Sequence, residues 1–246
     1  MGGGTGTGKS YYRDHEVPMD ASTLKIFHHV NNRVSERLLT WPKGVDFITT
    51  NESLESIVNA LEPTAEDTVL AICGCGDQPF ALAQTGARVH AVDYKKEQIA
   101  YAKRRARLAE LGRHVDFLSV SRSAPGDANN LRYLANEERW RRIRANINKI
   151  SFHHADIFKL PRSLHRTYTK IYLSNAITYS GRTPKDREIE QLIRVLQPNG
   201  LLYLAVKTDH IEFSAYARER LRVDVSLTYD ARRTEKTWTP SVYRRV

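Results

Sequence analysis

The rhythm of apolar and polar positions changes twice along the chain. Between residues 22 and 40, Leu24, Phe27, Val30, Val34 and Leu38 recur at helical spacing behind Ser22, a suitable helix cap. Trp41-Pro42 ends that pattern. A second amphipathic stretch over 51–63 places Leu54, Ile57, Val58 and Leu61 on one face, with Pro63 past its end. From Asp67 onward the pattern shortens. Residues 67–73 (DTVLAIC) form a nearly continuous apolar run, as expected of a strand covered on both faces.

Strands and helices then alternate. The pattern predicts helix over 80–86, strand over 87–93, helix over 95–112, and strands over 149–156 and 170–175. A helix over 183–200 ends in Pro-Asn-Gly and leads into a strand at 201–207. The runs 222–229 and 237–245 read as an antiparallel pair. This order predicts an α/β fold: a doubly wound, mostly parallel, Rossmann-like sheet with an antiparallel C-terminal strand pair and N-terminal helices. Residues 113–149 interrupt the alternation and are too long for an ordinary connection, so an inserted helical lid or subdomain is expected there.

The first ten residues, MGGGTGTGKS, raise a different possibility. Gly3, Gly8, Lys9 and Ser10 fit the spacing of a phosphate-binding loop. Such a loop works only between the end of a buried strand and the start of a helix, and only two residues precede Gly3. A flexible tail over 1–20 is the better expectation, followed by one domain over 21–246.

Composition narrows the partners without choosing one. The 246 residues carry a formal net charge of +10, with basic clusters at 103–107, 139–144 and 232–233. These suit solvated helix faces first, and otherwise an anionic membrane surface, an acidic small molecule or nucleic acid, the last not favoured. No apolar stretch approaches bilayer-crossing length, and the N-terminus lacks a signal-peptide pattern. The two cysteines, Cys73 and Cys75, form neither a disulfide framework nor a metal-ligand set. A cytoplasmic protein is expected, with peripheral membrane contact left open. His153 and His154 are adjacent on a predicted strand, point to opposite faces and so do not suit a shared metal.

The segment 69–99 carries the chemistry. A strand leads into a turn holding Gly74 and Gly76, then a helix and a second strand that ends in Asp93. Glycines admit a ligand close to the backbone, and an acid at the second strand's tip can accept both ribose hydroxyls of a nucleoside. Pro79 stands where a dinucleotide fingerprint would have its third glycine. Downstream, Asp156 and Ile157 in HHADIFKLP match the adenine-binding position of S-adenosylmethionine enzymes, Asp156 for the amino group and Ile157 for the ring, although Asp156 alone would also serve as a helix cap.

VLAICGCGDQPFALA, followed by RVHAVDYKKEQIAYAKRRARL, resembles the diacylglycerol 3-amino-3-carboxypropyltransferase family of betaine-lipid synthesis, which shares the class I methyltransferase fold. Gly76, Asp77 and Gln78 match that family's first turn in relaxed form, and Asp93, Tyr94 and the 95–111 helix match its second strand and following helix. IYLSNAITYSG resembles its fourth strand. The chain departs from the family at Pro42-Lys43, where acidic residues are usual, and from ordinary methyltransferases at Ala71, where an acid is usual in one register.

The resemblance implies S-adenosylmethionine as co-substrate, transfer of an aminocarboxypropyl group with release of methylthioadenosine, and a small-molecule or lipid acceptor. Ser174 and Asn175 would hold the methionine end. Asn175 and Tyr179 are the candidate catalytic residues, with Thr178 beside them, although Tyr179 also suits simple loop packing. Methyl transfer to a small molecule or RNA on the same fold is the alternative. A non-catalytic nucleoside- or RNA-binding module is a third reading.

Overall fold

The computed structural model describes residues 43–119, 128–179, 186–207 and 213–246. The expected tail over 1–20 and helix over 22–40 lie outside the described residues, as do positions 120–127 of the insertion and 183–185 of a predicted helix.

Strand β1 (Thr68–Ile72) sits at the centre, because its apolar run has no polar face to present to water. Val69 and Ala71 enter one hydrophobic core and Leu70 another, so this single strand divides the two. Fully burying side chains such as Val69 and Leu70 stabilises the fold by roughly 1.5–3 kcal/mol each. Strand β2 (Arg88–Asp93) pairs parallel to one side of β1, followed outward by β3 (Ile150–His154). On the other side come β4 (Tyr168–Tyr172) and β5 (Leu196–Val206), both parallel. The sheet is completed by β7 (Thr239–Arg245) and β6 (Leu221–Val223), giving the order β3-β2-β1-β4-β5-β7-β6 with β7 antiparallel to both neighbours. The doubly wound, mostly parallel, Rossmann-like sheet with an antiparallel finish is therefore present. The order in which successive strands are laid down reverses between the parallel neighbours β1 and β4, and the crevice outside their carboxyl ends is where ligands bind in such sheets.

Helix α1 (Leu54–Leu61) follows its expected pattern. The Ser53 side chain caps it by accepting from the Ser56 amide, and Leu54, Ile57, Ala60 and Leu61 are buried. Helix α2 (Asp77–Ala83) starts three residues before the predicted 80–86. Gly76, at φ 97°, turns the chain, and a buried Asp77 joins the first turn where the pattern suggested loop. Helix α3 (Lys96–Glu110) is followed by Gly112 at φ 68°.

The insertion forms helices α4 (His114–Ser119), α5 (Ala128–Ala135) and α6 (Glu137–Asn146). Phe117, Leu134, Trp140 and Ile143 bury in the same core as α2 and α3, and the Trp140 ring stacks 4.1 Å from His114. Helix α7 (Asp186–Val195) is shorter than the predicted 183–200. Strand β5 begins at Leu196 and carries Pro198-Asn199-Gly200 as an irregularity in its pairing with β4, with Asn199 at φ 62°.

The predicted strand over 222–229 is corrected. Only Leu221–Val223 is strand, following helix α8 (Ala215–Arg220), and Val225–Thr234 forms helix α9. Alternation in RVDVSLTY imitates a strand, but Asp224 accepts from the Leu227 amide at 3.2 Å and so caps a helix there. Leu227, Thr228 and Ala231 then form its buried face, and the Ser56 hydroxyl of α1 donates to the Ala231 carbonyl at 2.9 Å.

Candidate functional site

A cavity of about 290 Å³ opens at the carboxyl ends of the central strands, at the reversal between β1 and β4. Four pieces of chain converge on it: the turn after β1, the tip of β2, the segment after β3 and the segment after β4. A fifth, residues 46–52, runs across them. Helix α3 holds that strap in place. The Gln98 amide accepts from the amides of Asp46 and Phe47 and donates to the Phe47 carbonyl, and the Tyr101 hydroxyl donates to the Ile48 carbonyl.

Of the residues singled out from the sequence, Gly74, Gln78, Asp93, Tyr94, Asp156, Ile157, Ser174, Asn175 and Tyr179 line this cavity. Asp93 ties two strands together: Oδ2 accepts from the Gly74 amide at 3.1 Å and Oδ1 from the Lys95 amide at 3.0 Å. Burial raises the Asp93 carboxyl to about 6, against the pull of those two donors, and nearby Asp46 adds to the rise. Carboxylate oxygens carry several acceptor sites, so Asp93 retains capacity for hydroxyl donors. Gly74, at φ 48°, lets the turn pass close to the cavity. Tyr94 is 56% exposed at the mouth, and its carbonyl accepts from His154 Nε2.

Beyond β3, Asp156 Oδ1 accepts from the Phe158 amide at 2.9 Å, stabilising its own turn while the residue faces the cavity. Ile157 is 4% exposed and, with Ile72, supplies apolar wall. Beyond β4, Ser174 adopts φ 56°, a left-handed conformation uncommon for a residue with a side chain and one that concentrates at functional sites. Its carbonyl accepts from the Ala205 amide, and its hydroxyl donates to Glu52 with Asn175 Oδ1 3.3 Å away. The Tyr179 hydroxyl donates to Asp46 Oδ2 at 3.5 Å, its ring lies 5.7 Å from Phe47, and Asp46 pairs with Lys95.

Gly76 and Asp77 do not line the cavity. A Cβ on Gly76 would stand 2.8 Å from the Phe80 ring and 3.2 Å from Ala102, so this glycine serves helix packing. Asp77 is fully buried, paired with Arg105 at 2.6 Å, and accepts from the Thr50 amide and the Cys75 thiol. Its position beneath the strap anchors the site from behind. Burial pushes both the Cys73 and Cys75 thiols up, which leaves them poor nucleophiles. His153 stacks on His90 with ring centroids 5.5 Å apart, and neither His153 nor His154 lines the cavity.

Sequence reasoning missed the strap. Thr50 Oγ1 accepts from the Glu52 amide and from Gln78 Nε2, linking the strap to α2. Glu52, 2% exposed, lines the cavity, and burial raises its carboxyl to about 8, against the opposing effects of Ser174 and Tyr172. No periodicity marks Glu52: in NESLES it is one acid in a polar approach to a helix.

No protein-family model and no curated protein sequence matches the chain. Among solved structures it is similar to the N-methyltransferase NodS from Bradyrhizobium japonicum WM9, with 14% identity, a TM-score of 0.49, and 88% of this chain and 98% of that one covered. A TehB-like SAM-dependent methyltransferase from Corynebacterium glutamicum shares 12% identity at a TM-score of 0.47, covering 92% and 99%. The YcgJ protein from Bacillus subtilis shares 18% identity at a TM-score of 0.42; 64% of this chain aligns with 52% of that one, about half its length.

Proposed function

We propose that the cavity binds S-adenosylmethionine and that the protein is an S-adenosylmethionine-dependent transferase. The observation that carries this reading is convergence. Gly74, Asp93, Tyr94, Asp156 and Ile157, separated by up to 83 positions, line one cavity at the sheet's reversal point. The electrostatics fit a cationic co-substrate. Among the described residues, the carboxyl groups of Asp46, Asp93 and Asp156 line the cavity against one lysine, Lys95, which is paired with Asp46, while the Glu52 carboxyl, raised to about 8 by burial, stays protonated near neutral pH. That acidic interior belongs to a chain of net charge +10. A carboxylate in a partly dry site attracts a sulfonium ion more strongly than it would in water.

In this reading Asp93 accepts from the ribose hydroxyls, Asp156 takes the adenine amino group, and Ile157, Ile72 and Tyr94 pack on the nucleoside. These groups lie toward β2 and β3. The methionine end and the acceptor then lie toward β4, near Ser174, Asn175 and Glu52, because neighbouring strands stand about 4.8 Å apart and β4 is two strands from β2. A sulfonium supplies the chemical drive, since its departure leaves a neutral thioether. The chain's task is mainly to hold the reacting atoms near attack distance. Tyr179, fixed by Asp46 and Phe47, orients the acceptor at the mouth.

The resemblance of the 69–99 segment supports transfer of the aminocarboxypropyl group, in which the acceptor attacks the methionine γ-carbon and methylthioadenosine leaves. Purified protein incubated with S-adenosylmethionine and a lipid-plus-metabolite extract tests this through the nucleoside by-product, read by mass spectrometry. Methylthioadenosine above a no-protein control is expected. S-adenosylhomocysteine would identify methyl transfer at the same site, and neither product would refute a transferase.

A further inference from the structure

The outermost strand of the parallel half, β3, has two unlike faces. Ile150 and Phe152 pack on the core shared with α2 and α3. Ser151 and His153 alternate to the opposite face, where they meet His90 of β2, the cross-strand partner of Ser151. Three polar atoms cluster there. Ser151 Oγ lies 2.9 Å from His90 Nδ1 and 3.0 Å from His153 Nε2, and the two nitrogens are 3.3 Å apart.

Arg166, on the approach to β4, sets the direction of every proton in this cluster. Its Nη2 donates to the Ser163 carbonyl at 3.0 Å, and its Nη1 stands 3.4 Å from His90 Nε2. A guanidinium can only donate, so His90 Nε2 is the acceptor and the His90 proton sits on Nδ1. His90 then donates to Ser151 Oγ, and the Ser151 hydroxyl donates to His153 Nε2. The His153 proton is left on Nδ1, a donor that meets no acceptor among the described residues. Burial and the neighbouring cations hold both rings below the ordinary histidine value, His90 at about 4, which keeps them neutral as this chain requires.

The charged groups facing the two rings are all cationic. Arg166 and Arg88 act on His90, and Arg166 and Lys103 of α3 act on His153. Arg88, Lys103 and Arg166 are exposed, and none of them pairs with a carboxylate among the described residues. A metal ion between the two histidines fits poorly: Arg166 places positive charge beside the His90 ring and the proton on the nitrogen a metal would need. Among the described residues, no group of three or more histidine, cysteine or acidic side chains could hold a metal.

The geometry points to an oxyanion site on this face of β3, formed by His153, Lys103 and Arg166 and suited to a phosphate group. Its donors come from three elements and approach from different directions, which matches the several oxygens of a tetrahedral anion better than a planar carboxylate. The phosphate belongs either to a small phosphorylated molecule or to the backbone of RNA. The site lies outside the cavity and does not depend on the transferase reading.

The histidine ring signals of the full chain, followed by NMR at constant ionic strength, test the proposal with inorganic phosphate and with a single-stranded RNA dodecamer. Phosphate replacing chloride should shift the His90 and His153 signals and raise the His153 titration midpoint, because a neighbouring anion favours the imidazolium form. Lys103→Gln and Arg166→Gln should each weaken binding about tenfold, the scale of one hydrogen bond to a charged group. Arg141→Gln, which removes the same charge from α6, should leave it unchanged. Lys103 is exposed on its helix, so Lys103→Gln serves if Arg166→Gln fails to fold.

RNA that binds more tightly than phosphate, with an affinity falling steeply as salt rises, identifies the nucleic-acid backbone as the source. RNA that binds no more tightly identifies a small phosphorylated ligand. His153 signals that neither probe moves overturn the proposal. So does equal weakening by Lys103→Gln, Arg166→Gln and Arg141→Gln, which would show only a response to net charge.

Discussion

Glu52 shows how a single buried side chain can carry a signature independent of any substrate. Its carboxyl is raised from 4.5 to about 8, first by burial, with Glu235 adding and Ser174 and Tyr172 opposing. The folded protein therefore keeps a proton between those two values that the unfolded chain has lost. Stability contributed at this position must fall as pH rises through that window and level off above it. Glu52→Gln removes the titration while retaining an oxygen for the Ser174 hydroxyl. Urea denaturation should find the variant close to wild type at pH 5 and more stable by a few kcal/mol at pH 9, on the order expected for ionising a fully buried carboxyl. A gap that does not change with pH would contradict the assignment.

The Asp93 signal was legible because an acid at a strand tip after a glycine turn has a recognisable spacing. Glu52 was not, since its burial comes from a strap whose position is set 46 residues later by Gln98, which no local pattern reveals.

The turn between β1 and α2 illustrates the same division. Both glycines were read as ligand-facing, yet they do different work. Gly74 faces the cavity, and a Cβ there would meet nothing closer than Gln78 Oε1 at 3.6 Å. Gly76 stands against Phe80 and Ala102, where α2 and α3 approach each other. Both have positive φ, so alanine strains either one by about 1 kcal/mol, but only at Gly76 does overpacking add a further 1–3 kcal/mol. Thermal denaturation should rank Gly76→Ala well below Gly74→Ala in stability, while Gly74→Ala should weaken nucleoside binding more. The reverse order in both measurements would mean that the two roles are exchanged.

Elements with an uninterrupted apolar run or a long amphipathic face were readable: β1, β2, α1 and α3 appear within a few residues of expectation. The C-terminal segment was not, because RVDVSLTY has strand-like alternation and only the Asp224 cap, the Arg244 ion pair and packing on α1 turn it into α9. Tertiary contacts outweighed local pattern there.

Across the whole molecule, charge is sorted. The basic clusters are largely engaged locally on helix faces. On α6, Arg141 pairs with Glu137 and Arg142 with Glu138, and Arg139 lies over the Tyr133 ring; Arg105 of α3 is buried against Asp77. The cavity instead collects carboxyl groups. Among the described residues no helix is long and apolar enough to cross a membrane. The sheet order places the Asp93–Asp156 side of the cavity two to three strands from Ser174, so one elongated ligand would span it with its nucleoside toward β2 and β3.

Equilibrium binding of S-adenosylmethionine to wild type, Asp93→Ala and Asp156→Ala tests that arrangement most directly. Each substitution removes one polar contact to the nucleoside and is expected to weaken binding about 10- to 100-fold, the range for losing a hydrogen bond to a charged group. Circular dichroism should show both variants folded. Unchanged affinity in both would contradict the assignment of this cavity to S-adenosylmethionine.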